Sequence, residues 1–288
     1  GINITYFRGI NKILSIFIIS AFLISLPFIN YFELQLFLLL PIFYLITTIP
    51  LRRTEGKFLI ILITISIIVV SFTNRVGILR ILISYCILGA YYLMQNIRIN
   101  KRILNALVIL ILMLPVFALF LALKGQSIFQ IVLGEDVNGY SQLNPYADTR
   151  TFLYYEVFQD LNLNNAFIFG KGLNAGYASE SFETFSRQVV EVGFLQIILK
   201  TGIVGFILYA SVVFSAILKA LRNSMSLFVK ALGLLLAGYL LVLFIENIIA
   251  YNLLNIVIWF ITGLCHSKAF RNLNDQEIRN LFIHSKYE

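Results

Sequence analysis

A single polar stretch, residues 124–190, lies between membrane-length apolar runs, and this limits the fold more than any motif does. Eight runs, near residues 11–29, 33–51, 57–73, 77–94, 102–123, 191–218, 226–245 and 248–265, are long enough or nearly long enough to cross a membrane. A hydrocarbon core about 30 Å thick needs roughly 20 helical residues. Hydrophobic residues make up 59% of the 288 and charged residues 12%, with a mean hydropathy of +0.88. A water-soluble domain of this size does not sustain that balance. The expected fold class is an all-α polytopic membrane protein, with about eight transmembrane helices and one large extracytoplasmic loop containing short amphipathic helices. No internal repeat or low-complexity linker divides the chain, so residues 1–288 read as a single integral membrane domain with 124–190 as its extracytoplasmic loop. The chain opens at Gly1 without methionine or a small-residue cleavage pattern, so N-terminal truncation is expected rather than a signal peptide.

Orientation follows from the cations. With a cytoplasmic N-terminus, 15 of the 22 Lys and Arg residues fall on inside segments, clustered in short loops such as Arg52, Arg53 and Lys57, or Arg98, Lys101 and Arg102. The positive-inside rule then places both termini in the cytoplasm and the 124–190 loop outside. The net charge of +8 is spread over the ends of apolar runs rather than along one stripe, which argues against a nucleic-acid partner. Cys86 and Cys265 both lie in apolar runs without metal-ligand spacing and read as small buried hydrophobes.

Cations on the outer side stand against the topogenic bias and need another reason. They are Arg75, Arg80, Lys124, Arg150, Lys171, Arg187 and Lys200, and an anionic ligand supplies such a reason. Within the loop, residues 134–148 carry turn residues, and Asp148 and Thr149 offer N-caps to an amphipathic helix, TRTFLYYEVFQDL, that ends at Asn162, Asn164 and Asn165. A glycine-rich turn, FIFGKGLNAGY, follows. Gly170 and Gly172 let backbone N–H groups approach a phosphate and Lys171 adds a point charge, but the full phosphate-loop pattern is missing, and a tight turn with a solvated lysine is the competing reading. Arg150 and Arg187 suit either an anion or lipid headgroups. Arg75 occupies a short outer turn, SFTNRVGIL. Glu191, where the sixth run begins, is either a helix-start charge or a general base, and Glu246 in the last outer turn is a second acid or a substrate hydroxyl contact.

Taken in order, DTRTFLYYEVFQDL, FGKGLNAGY and EVGFLQIILKTGIVGFILY resemble the signature region of the O-antigen polymerase and O-antigen ligase superfamily, bacterial membrane glycosyltransferases of the GT-C class. The matching positions are Arg150, Gly170 with Gly172, Glu191, and Gly202 with Gly205, while SFTNRVGIL makes Arg75 a second matching arginine. The resemblance covers roughly residues 60–265 and rests on the order and spacing of several weak motifs. Ligases of the family carry histidine where this chain has Glu191, so the resemblance favours a polymerase of surface polysaccharide in the bacterial cytoplasmic membrane. It implies a donor glycan on undecaprenyl pyrophosphate, membrane lipid and other polysaccharide-assembly proteins as partners, and neither metal nor cofactor. Arg75 and Arg150, with Arg187, would bind the pyrophosphate and Glu191 would deprotonate the acceptor hydroxyl, giving inversion. Two rivals from other classes are a lipid-linked oligosaccharide flippase, which should carry charges along a central cavity, and a small-solute transporter, which should show paired broken helices. These runs are almost free of charge, and Lys200-Thr201-Gly202 is the one interruption visible.

The orientation is tested by cysteine labelling. Cysteine at Ser141 or Ser179 should react with an impermeant thiol reagent added outside, and cysteine at Ser224 should not; labelling at Ser224 alone reverses the topology.

Overall fold

The computed structural model describes residues 44–52, 54–70, 75–96, 151–179, 184–244 and 253–283, together with helical positions 13, 16, 20, 106, 109 and 113. The expected spans at 11–29 and 102–123, apart from those positions, and most of that at 33–51 lie outside the described residues. The described part is mostly helical. A short 3-10 turn at Ile49–Leu51 precedes α1 (Thr54–Val70) and α2 (Arg75–Asn96). After these come α3 (Thr151–Leu163), the strands β1 (Tyr177–Ser179) and β2 (Thr184–Arg187), α4 (Gly193–Arg222), α5 (Leu227–Leu243), α6 (Leu253–His266), α7 (Lys268–Arg271) and α8 (Asp275–Ile283). By length and composition α4 can cross a membrane, and shorter apolar helices occupy Ile81–Gln95, Leu227–Leu243 and Asn255–His266. The contacts divide the chain into two compact units, residues 1–108, 213–239 and 251–288 in the first, and 109–212 and 240–250 in the second.

In the first unit the helices pack closely at glycine. A Cβ on Gly233 would come within 2.8 Å of Ala220, and one on Gly238 within 2.7 Å of Ile83. The outward faces are apolar: Leu82, Cys86, Gly89 and Leu93 form an exposed stripe on α2 at helical spacing, and Phe58, Ile61, Leu62 and Ile65 are exposed on α1. Cys86 is therefore exposed, contrary to its reading as a buried hydrophobe, because it falls on this stripe; Cys265 is buried. The polar tail after residue 266 folds into α7 and α8, which the apolar pattern does not announce. Asn274 and Glu277 cap α8 reciprocally, each side chain accepting from the other's backbone N–H at 2.8 and 2.7 Å. Asp275 accepts from the backbone N–H groups of Leu227 and Phe228 at 3.2 and 3.1 Å, closing the N-terminus of α5. Arg271 donates to the carbonyls of Cys265 and His266, the C-terminal end of α6, where a cation suits the helix dipole.

In the second unit one local break organises the rest. Gly202 interrupts α4 with φ 70° and ψ −175°, dividing it into residues 193–201 (α4a) and 203–222 (α4b). In an unbroken helix Ile203 and Val204 would donate to the carbonyls of Leu199 and Lys200. Instead the glycine-rich turn enters the gap. Lys171 and Gly172 donate to Leu199 and Lys200 at 2.8 and 3.0 Å, while Ile203 and Val204 donate to Phe167 and Ile168 at 3.0 and 3.3 Å. Two helical hydrogen bonds are thus replaced by four bonds to the turn, which pair the Leu199 and Lys200 carbonyls and the Ile203 and Val204 N–H groups. Two backbones can approach so closely only at glycine. A Cβ on Gly170, itself at φ 73°, would sit 2.5 Å from the backbone of Lys200 and Thr201, and one on Gly202 would collide with the Ile168 carbonyl.

Ser179 and Ser224 are both buried, so the labelling test moves to their exposed neighbours Ala178 and Asn223. The break itself predicts unequal glycine substitutions. Gly202→Ala should destabilise by about 3 kcal/mol or more, combining left-handed strain with loss of the turn's hydrogen bonds. Gly89→Ala, on α2 with open space around the new methyl, should gain about 0.5–1 kcal/mol of helix propensity. Thermal unfolding in detergent checks both, and equal melting temperatures for the two variants would contradict the packing described.

Candidate functional site

The candidate site is built on α3, the two strands and the start of α4, all in the second unit. On α3, Leu153, Val157 and Leu161 are fully buried at i, i+4 and i+8, and Glu156 is buried on the same face. The helix ends in a Schellman motif: Asn165 is left-handed at φ 51°, Ala166 donates to Leu161 at 2.8 Å and Asn165 to Asn162 at 3.1 Å. Asn164 adds a side-chain bond to the Asp160 carbonyl at 2.7 Å. The chain then reverses into the turn that fills the break in α4.

β1 and β2 pair antiparallel, with Tyr177 opposite Arg187 and Ser179 opposite Thr184, and the register shifts between the two pairs. Tyr177 and Ser179 face inward and Ala178 outward, as strand alternation requires. The Ser179 hydroxyl donates to Glu156 at 2.7 Å, so the buried carboxylate ties the strands to α3. Tyr177 is fully buried and its hydroxyl has no hydrogen bond of good geometry. Burial pushes its pKa upward; the adjacent Arg187 charge opposes this, and Glu156 and Glu191 reinforce it. Tyr177 thus stays a neutral donor inside a cluster of charges.

Arg187 and Glu191 are brought together by the exit from β2. Their Nη2 and Oε1 atoms are 2.9 Å apart, and the pair is partly exposed. Burial pulls the Arg187 pKa down, but the Glu191 hydrogen bond and Tyr177 outweigh it, so the guanidinium holds its proton more firmly than usual. Glu191 is displayed by its neighbours, since Val190 and Val192 on either side are fully buried and force it outward. Gln196 fixes this link. Its side-chain oxygen accepts from the Val190 N–H at 2.6 Å and its nitrogen donates to the Gln188 carbonyl at 3.2 Å. Below it, Phe194 is buried between Tyr154, Phe206 and Phe244, stacking on the last at 4.4 Å.

The other sequence candidates distribute as follows. Gly170 and Gly172 form the docked turn, and Gly172 is also left-handed, at φ 95°. Lys171 bonds Asp160 at 2.7 Å and the Gly176 carbonyl at 2.8 Å, which ties the turn back to α3. Arg75 is the first residue of α2, in the first unit. Arg150 and Glu246 lie outside the described residues; Arg150 immediately precedes α3 in the chain. Sequence reasoning passed over Glu156, Tyr177 and Gln196. A carboxylate on the apolar face of α3 was the available signal for the first; the other two become visible only through tertiary contacts. Comparison of the chain with protein-family models, curated proteins and solved structures finds no match.

The Lys171 geometry separates a structural from a ligand-binding role. If it serves the fold, Lys171→Ala and Asp160→Asn should each cost about 1–2 kcal/mol of stability, with the double variant little worse than either. Affinity for inorganic pyrophosphate, used as the anion probe, should be unchanged in folded protein. A loss of pyrophosphate affinity in Lys171→Ala but not in Asp160→Asn would return the lysine to phosphate binding.

Proposed function

We propose that this chain is a multi-pass protein of the bacterial cytoplasmic membrane, with about eight spans and both termini inside. On this reading it polymerises undecaprenyl-pyrophosphate-linked oligosaccharide repeat units at the outer face, as a metal-independent inverting glycosyltransferase. The observation that carries the reading is convergence. Gly170 and Gly172, the Arg187–Glu191 pair, and Gly202 with Gly205 are separate weak motifs in the sequence, yet they belong to one module in which the turn is bonded to the helix break. The exposed apolar faces of α1, α2 and α4 support a lipid environment.

In this mechanism Arg187, with Arg150, takes the donor pyrophosphate through the planar guanidinium fork. Donor binding draws Arg187 away from Glu191, and the released carboxylate accepts the proton of the acceptor hydroxyl. The acceptor oxygen attacks the anomeric carbon, the bond from that carbon to the phosphate oxygen breaks, and undecaprenyl pyrophosphate leaves with the electron pair. Inversion follows from attack opposite the leaving group. Charge stabilisation of the departing pyrophosphate is the main electrostatic contribution.

The test is polymerisation in proteoliposomes containing purified lipid-linked repeat units. The native chain should give a ladder of lengths, whereas a ligase would give no ladder without a separate acceptor. Glu191→Gln keeps shape but cannot take the proton, so turnover should fall by about 10²–10⁴ while donor binding survives. Arg150→Lys should fail nearly as badly as Arg150→Ala, by roughly 10²–10³, because an ammonium cannot make the bidentate contact. Normal turnover in Glu191→Gln would remove Glu191 from the chemistry.

A further inference from the structure

The end of α3 and the docked turn expose large apolar side chains, of which Phe167 also packs against Phe158 with ring centroids 5.9 Å apart. Leu163, Phe167, Ile168, Phe169 and Leu173 are all exposed, Phe169 and Leu173 by 75% and 72%. They stand among Asn162, Asn164, Asn165 and Asn174, which are exposed as well. Large apolar groups beside amides are a poor surface for bulk water and a good one for the boundary between headgroups and acyl chains.

The height of this surface follows from the hydrogen bonds that hold the turn between Leu199 and Val204. α4b, residues 203–222, has 20 residues and a length of about 30 Å, the thickness of a hydrocarbon core. Lys200 stands just before it, and Lys219 and Arg222 at its far end. Between them Val204, Ile207, Leu208 and Val212 are exposed and apolar. α4a differs, with residues 194–199 all buried in protein. A crossing that began instead at Gly193 would carry the Lys171–Asp160 pair and the exposed asparagines into hydrocarbon, where they lack water. On the membrane placement proposed above, the break at Gly202 falls at one membrane boundary, with the turn bonded to it.

We infer that residues 163–173 form a wedge whose Leu, Phe and Ile side chains enter the acyl region of the outer leaflet, setting the height of the Arg187–Glu191 site above the membrane. This rests on the membrane placement proposed above, and the test distinguishes the two. Trp259 is the chain's single tryptophan, so Trp259→Phe provides a silent background. Phe169→Trp, Ile168→Trp and Val212→Trp are introduced one at a time and reconstituted in phosphatidylcholine vesicles brominated either near the headgroup or deep in the acyl chain. Tryptophan at 168 or 169 should lose more emission to shallow bromines, and tryptophan at 212, midway along α4b, more to deep ones. Quenching at 212 without quenching at 168 or 169 in either lipid overturns the wedge and leaves the membrane placement standing; the turn then faces water, glycan or a second protein. No quenching at 212 overturns the placement itself.

Discussion

Backbone N–H and C=O groups released inside apolar surroundings must find partners, and at Gly202 this requirement determines the second unit. Each unpaired buried group costs about 1–3 kcal/mol, so a helix broken at this point persists only if another segment supplies both donors and acceptors. The turn at 167–172 does so by presenting its own backbone, which is possible because Gly170 and Gly202 carry no side chain between the two chains. The Schellman ending of α3 and the Lys171 contacts with Asp160 and Gly176 aim the turn. The chain beyond it then forms the strands on the buried face of α3.

From that anchorage the site follows by short steps. Glu156 holds β1, β1 holds β2, and β2 delivers Arg187 four residues before Glu191. Gln196 and the two buried valines determine the direction in which Glu191 points. The result is a charged pair at the surface beside a buried neutral hydroxyl at Tyr177, set on an aromatic base around Phe194. In the function proposed for this chain, an anion claims the arginine of this pair and the carboxylate changes partner.

The sequence disclosed what depends on long apolar periods and on local chemistry. The runs at 57–73, 77–94, 191–218 and 226–245 correspond to α1, α2, α4 and α5 within a few residues, and TRTFLYYEVFQDL to α3 with its asparagine ending. Strands of three and four residues have too little alternation to register, and they are stabilised by Glu156, a contact distant in sequence. Asn274 and Glu277 carried a readable capping signature that a search for apolar runs passes over. Lys200-Thr201-Gly202 was visible as an interruption. Its partner was not, because nothing local says that a turn thirty residues earlier will fill it.

The account depends on that junction being closed in solution, and amide hydrogen exchange tests it most directly. The N–H groups of Lys171, Gly172, Ile203 and Val204 should exchange as slowly as those of the flanking α4 helix and be released together. Exchange of Lys171 and Gly172 at the rate of an open loop, with Ile203 and Val204 equally fast, would mean that the turn does not occupy the break, and the site geometry built on it would not hold.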